Sequence, residues 1–307
     1  MKKSKIFIFL LIFLLTGCFE RNSMENIKIY TTSYPVEYVT TRLYGKHSTV
    51  KSIYPDGMKK GYIVSDKLLN DYSKAELFIF NSLNEYYELN DEGKIVLNKN
   101  GLPNIASEKK YVSKMLDNNP KLKIIDVSLS ISYEENINEL WLDPINLLTV
   151  ANNIKKGFHQ YITSKYLIEE IDGNYKSLKD ELLKLDADYR EVADRSKYDT
   201  LLTSNNLLKY LSKYNINVVS FEDENDINQK DIKLVEDLIQ NGDLKYVYIF
   251  EEDNINGTLQ NLIDTYGLEI IKLHNLNNLT DDERKNNNDY FTLMYSNLDK
   301  IKEELYK

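Results

Sequence analysis

The chain has 307 residues, of which 28% are charged and 42% apolar, and it carries a formal net charge of −9. Such a balance suits a folded body with ordinary hydrophobic cores. It excludes a nucleic-acid binder, which needs clustered Lys and Arg, and it excludes a polybasic membrane patch. The N-terminus is set apart from the rest. Lys2, Lys3 and Lys5 precede an unbroken apolar run, Ile6 to Leu15, and Leu15-Thr16-Gly17-Cys18 follows. A run this short does not reach across a hydrocarbon core of about 30 Å, but it has the length of a signal-peptide core. The small-small-Cys ending reads as a lipobox. Residues 1–17 are therefore expected to be a signal peptide and Cys18 the lipidation site. Cys18 is the only cysteine, so no internal disulfide can form. Two or more acyl chains on one residue anchor a protein stably where one does so only marginally. The chain is expected to be exported and held on the outer face of a membrane.

Beyond a short polar tether, residues 18–26, strand and helix signals alternate. Ile27 to Thr31 alternates like a strand, and Val36 to Leu43 has helical spacing. Val50 to Tyr54 reads as a second strand, ended by the Pro55-Asp56-Gly57 turn signal. Ser65 caps a helix that runs to Tyr72. Glu76 to Phe80 is almost continuously apolar, as a buried parallel strand should be. Residues 90–107 form a polar excursion, and Leu122 to Val127 is another strand. These signals predict an N-terminal α/β lobe over 27–142. Asp143-Pro144 then starts a helix, with Asp as N-cap and Pro where its missing N–H costs nothing. A second helical pattern from about Leu167 to Arg195 would reach roughly 40 Å, longer than one small domain needs. Residues 143–196 are read as linking helices.

The second half repeats this grammar in element order, though not in residue identity. Strands are expected at 200–203, 216–221, 246–250 and 269–273. Helices are expected at 207–213, 229–240, 258–266 and 287–306. The fold class is therefore α/β: two lobes, each a mainly parallel sheet flanked by helices, joined by one long helix, with the C-terminal lobe at 197–307. No nucleophile–base pair or Gly-rich phosphate loop is visible, so an enzyme is not expected.

Several segments carry a family resemblance. Trp141-Leu142-Asp143-Pro144 resembles the Trp-Leu-Asp-Pro segment of zinc/manganese ABC-transporter substrate-binding lipoproteins. In the same order, Tyr30 to Pro35, Ile53 to Gly57, Lys74 to Asn81, Leu202 to Asn205 and Tyr290 to Met294 are similar to other stretches of that family. The resemblance covers nearly the whole chain after the signal peptide. It implies a divalent metal, zinc or manganese, carried as cargo in the cleft between the lobes, and an ABC permease as partner. The family generally places four ligands in that cleft. The resemblance puts them at Gly61, Glu139, Asn205 and His274. Glycine has no donor, so a ligand is missing there; Asp56, Asp66 and Tyr62 are candidate replacements. Glu139 and His274 keep ligand chemistry, and Asn205 offers only a neutral carboxamide or a helix cap. His47 and His159 read as solvent-facing. The other reading of so altered a site is a degenerate paralogue, acting as a surface interaction or adhesin module or binding a non-metal ligand.

Overall fold

A computed structural model describes residues 24–58, 62–88, 90, 94–99, 101–131, 139–222, 227–250 and 255–307. The expected signal peptide, Cys18 and Gly61 lie outside the described residues. In the first half the strands are β1 (Ile27–Thr31), β2 (Ser48–Ser52), β3 (Leu77–Phe80), β4 (Glu85–Tyr87), β5 (Ile105–Ser107) and β6 (Lys123–Asp126). Four of them form one parallel sheet in the order β2-β1-β3-β6. Every residue of β3 is buried, which is why its sequence is apolar throughout: helices cover both faces of a parallel sheet. The helices are α1 (Tyr34–Tyr44), α2 (Asp66–Tyr72) and α3 (Glu108–Asn118). The polar excursion ends in β5, which pairs antiparallel with β4. Strand β2 ends earlier than its apolar pattern suggests. The Ser52 hydroxyl bonds the Thr32 carbonyl and accepts from the Tyr54 amide, turning the chain off the sheet there.

The second half contains β7 (Thr200–Thr203), β8 (Asn217–Ser220), β9 (Tyr246–Phe250) and β10 (Glu269–Leu273), all parallel, in the order β10-β9-β7-β8. In both sheets the first strand lies between the second and the third, with the fourth beyond the third. The expected repeat of element order is thus a repeat of topology. Two expected helices differ in detail. Residues Asn206–Tyr214 form a 3-10 helix. The closing helix begins only at Tyr290, where the Asp289 carboxylate caps the Thr292 amide at 2.8 Å.

Asp143 caps the helix Pro144–Tyr161, here α4, through the Ile145 amide at 2.8 Å. The long helix α5 spans Lys165–Asp194, 30 residues, with Gly173 inside it. One hydrophobic core runs from Ile29 and Val39 of the first lobe, through Phe158 of α4 and Leu178 of α5, to Leu201, Leu273 and Leu298 of the second. Smaller cores sit under the outer helices of each lobe, around Phe78 in one and Val247 in the other. Helix α5 is therefore an inner wall common to both lobes. Among the described residues no helix is long and apolar enough to cross a membrane.

Gly157 shows how tightly α4 packs on the first sheet. A Cβ there would lie 2.5 Å from Cδ1 and Cγ1 of Ile125. Alanine improves helix propensity by about 1 kcal/mol, but overpacking typically costs about 1–3 kcal/mol. Gly157→Ala should therefore lower the thermal midpoint, and adding Ile125→Val should restore part of the loss. A midpoint at or above that of the parent would contradict this packing.

Candidate functional site

In parallel α/β sheets, ligands bind beyond the carboxyl ends of the strands, where the strand order reverses. Here that point falls at Thr31 beside Ile79 in one sheet and at Thr203 beside Tyr248 in the other. The segments leaving the strand ends of the two lobes meet. The Tyr34 amide donates to the Asn277 carbonyl at 3.1 Å, and the Gly57 amide to the Leu279 carbonyl at 2.8 Å. Asn278 Nδ2 donates to the Met58 carbonyl at 3.3 Å. Trp141 Nε1 donates to the Asn275 carbonyl at 2.9 Å, and the Tyr290 hydroxyl to the Trp141 carbonyl at 2.8 Å. The Trp-Leu-Asp-Pro segment thus pins the lobes together. Its Trp reaches the segment that leaves β10, while its Asp caps α4 and pairs with Lys213 of the second lobe at 2.5 Å.

Two cations of the protein itself lie in this seam. Lys213 also reaches Asp186 at 2.9 Å, and the Tyr214 hydroxyl donates to that carboxylate at 2.6 Å. Arg284, in the short helix Asp281–Lys285, donates through Nε to Asp56 at 2.5 Å and through Nη2 to Glu37 at 2.7 Å. Its guanidinium carbon lies 5.6 Å from the centre of the Tyr34 ring. Burial pushes the Glu37 carboxyl above its usual range, with Arg284 pulling it back and Asp56 pushing further up. Beside this pair is a cleft of about 400 Å³, walled by Tyr34, Tyr38, Asp289 and Arg284 among others.

The residues expected as ligands are found in varied settings. His274, immediately after β10, is buried. Its Nδ1 accepts from the Leu276 amide at 2.9 Å, and its Nε2 faces Glu283 Oε1 at 3.3 Å. An Nδ1 that accepts leaves the ring proton on Nε2. Binding a metal through Nε2 would move that proton to Nδ1, where it would face the Leu276 N–H. In this conformation His274 is thus committed to holding its own segment. The Glu283 carboxyl sits below its usual range: burial raises it, and bonds from Thr280 and the nearby His274 outweigh that. Asn205 caps the 3-10 helix, its Oδ1 accepting from the Leu207 amide at 2.9 Å. Glu139 is half-buried just ahead of the 3-10 turn Leu140–Leu142, and its carbonyl accepts from the Leu142 amide at 3.1 Å. Of the replacement candidates, Asp56 is held by Arg284. Asp66 is exposed and paired with Lys114 at 2.5 Å. Tyr62 lies against the Tyr54 ring. Among the described residues no three His, Cys, Asp or Glu side chains stand close enough to hold a metal ion.

Of the other two histidines, His159 is exposed as expected, while His47 is half-buried. His47 Nε2 lies 2.9 Å from Glu170, and His159 Nε2 3.1 Å from Asp172, so α5 supplies an acid to each. Sequence reasoning missed Glu37, Arg284 and Glu283. The Thr280-x-x-Glu283 capping box was readable as a helix start. Nothing in the sequence joins Arg284 to an acid 247 positions away.

Comparison with known proteins agrees with this architecture. Residues 29–304 match the profile of the ZnuA family, described as zinc-uptake complex component A, periplasmic. A zinc-binding protein AdcA of Streptococcus pyogenes is 23% identical over 299 residues, covering 90% of this chain and 55% of its own length. The chain thus spans about half the length of the curated relatives it matches. The Zn(II)-bound ZnuA-like domain of Streptococcus pneumoniae AdcA superposes with a TM-score of 0.67 at 20% identity, covering 92% of this chain and 100% of that domain. The metal-dependent lipoprotein YcdH of Bacillus subtilis gives 0.70 at 18%, covering 92% and 100%. At these identities the structures bear on the fold.

One buried acid belongs to the floor of the first lobe's switch point. Glu108 is fully buried; Oε2 accepts from the Asn81 amide at 2.6 Å and Oε1 from Asn84 Nδ2 at 2.7 Å. Burial pushes its carboxyl from 4.5 up to about 7, against the pull of Asn84, Asn81 and Thr32. A folded-state value above the unfolded one means stability is lost as pH rises from about 4.5 through about 7. The loss is on the order of 3 kcal/mol at 1.36 kcal/mol per unit. Denaturant unfolding at pH 5 and pH 8 should therefore show a larger drop in the parent than in Glu108→Gln. Equal drops would show that Glu108 ionises in the fold as freely as in the unfolded chain.

Proposed function

The chain belongs to the ZnuA family, and we propose that it is the extracytoplasmic substrate-binding component of a zinc ABC uptake system. The observation that carries the reading is the seam. Two parallel sheets of the same topology meet at their carboxyl ends, with Trp141, the Pro55–Met58 turn and the segment after β10 bonded across it. This is where the cargo ion would be held and where a permease would receive it. The curated relatives are named for zinc, which supports zinc over manganese. Cys18 would tether the body to the outer membrane face beside the permease, as the signal-peptide pattern suggests.

Glu139, His274 and Asn205 are the donors this reading assigns. Asn205 and His274 are hydrogen-bonded within their own segments, so loading must exchange those bonds for bonds to the ion. A site of this kind lacks the full set of oriented ligands that gives the tightest zinc binding. Its affinity should therefore fall short of the tightest sites. Titration calorimetry of the chelator-stripped protein with zinc should show one site filling in the micromolar range. Glu139→Ala should weaken it by about tenfold or more, in line with the loss of a ligand or its support. No heat and no competition for a zinc indicator up to roughly 100 μM, weaker than about −5.5 kcal/mol, would refute zinc as cargo.

A further inference from the structure

The segment from His274 to Asp289 leaves the second sheet, lies against the first lobe and returns to the closing helix Tyr290–Leu305. It is folded by its own bonds: the Leu276 amide to His274 Nδ1, the Asn277 amide to Asn275 Oδ1 at 3.0 Å, and the reciprocal capping box of Thr280 and Glu283. Leu276 has a φ of +59°, a left-handed conformation rare for a branched residue, and its side chain is fully buried in the shared core. Such a conformation persists only where surrounding packing over-determines it. The segment is thus a preformed strap. Its backbone holds Tyr34 and Gly57 of the first lobe, and Asn278 holds Met58.

Arg284 closes this strap. One fork of donors takes carboxylates from two separate first-lobe elements, Glu37 of α1 and Asp56 of the turn after β2. Both carboxylates are well shielded, with side chains 14% and 24% exposed. Moving the strap away would leave two acids close together without their cation, which is costly where water is scarce. Lysine offers a point charge and cannot match the planar two-way fork. We propose that Arg284 is a positioning residue that fixes the Pro55–Met58 turn against the strap, so that this edge of the seam is set before any ion arrives. The protein's own guanidinium supplies the positive charge at this edge of the seam in that state. The positioning stands on the bonds just described. Only its consequence for zinc rests on the functional reading above.

Hydrogen exchange of the metal-free protein separates the two. In Arg284→Gln, amides of residues 55–58 and 275–279 should exchange about tenfold faster or more, while β9 in the second sheet keeps its protection. Asp56→Asn should do the same, and the double variant should add little to either single one, as expected for two ends of one interaction. Arg284→Lys should fall between parent and Arg284→Gln. Acceleration confined to residues 281–289, or fully additive effects of Arg284→Gln and Asp56→Asn, would overturn the proposal by reducing Arg284 to a local support of its helix. Exchange that responds as expected, together with a failure to bind zinc, would leave the strap standing and remove only the zinc reading.

Discussion

Helix α5 is the constraint on which the rest depends. A helix of 30 residues has one apolar stripe, and here that stripe faces a single core fed by both sheets. Leu167 and Ile171 near its start and Tyr189 and Val192 near its end are all buried. The helix therefore sets how far apart the sheets lie and which edges they turn to each other. With the carboxyl ends facing, the segments that leave the strands of the two lobes come within bonding reach of each other. They bond across the seam through Trp141, Tyr34, Gly57 and the strap.

Facing carboxyl ends also concentrate charge. Asp56 and Glu37, beside the carboxyl end of the first sheet, are matched by Arg284, and Asp143 at the start of α4 and Asp186 within α5 are matched by Lys213. Charges in such a place stay only if paired. The pairings leave the seam organised with its own cations, with His274 and Asn205 held in local bonds.

The fold was legible because it rests on local signals. The apolar run of β3, the Asp143-Pro144 start of α4 and the long periodic stretch of α5 each announce themselves within a dozen or so residues. Boundaries failed where a side chain intervened, as at Ser52, which turns the chain off β2, and at Asp289, which delays the last helix. The site was less legible. Resemblance pointed to His274 and Asn205 by position, but what each side chain does is decided by neighbours two residues away, the Leu276 and Leu207 amides. The Arg284 clamp and the His47–Glu170 pair join distant parts of the chain, and no pattern along the sequence encodes them.

The central claim is that the seam between the lobes is where this protein holds its ion. Anomalous scattering from zinc-loaded crystals, collected on both sides of the zinc edge, tests it most directly. The account predicts one strong zinc peak in the seam, within bonding reach of Glu139 and near the segment that follows β10, with the His274 or Asn205 side chain moved from its present partner. Zinc found only at the His47–Glu170 and His159–Asp172 pairs along α5, with the seam bonds intact, would contradict it.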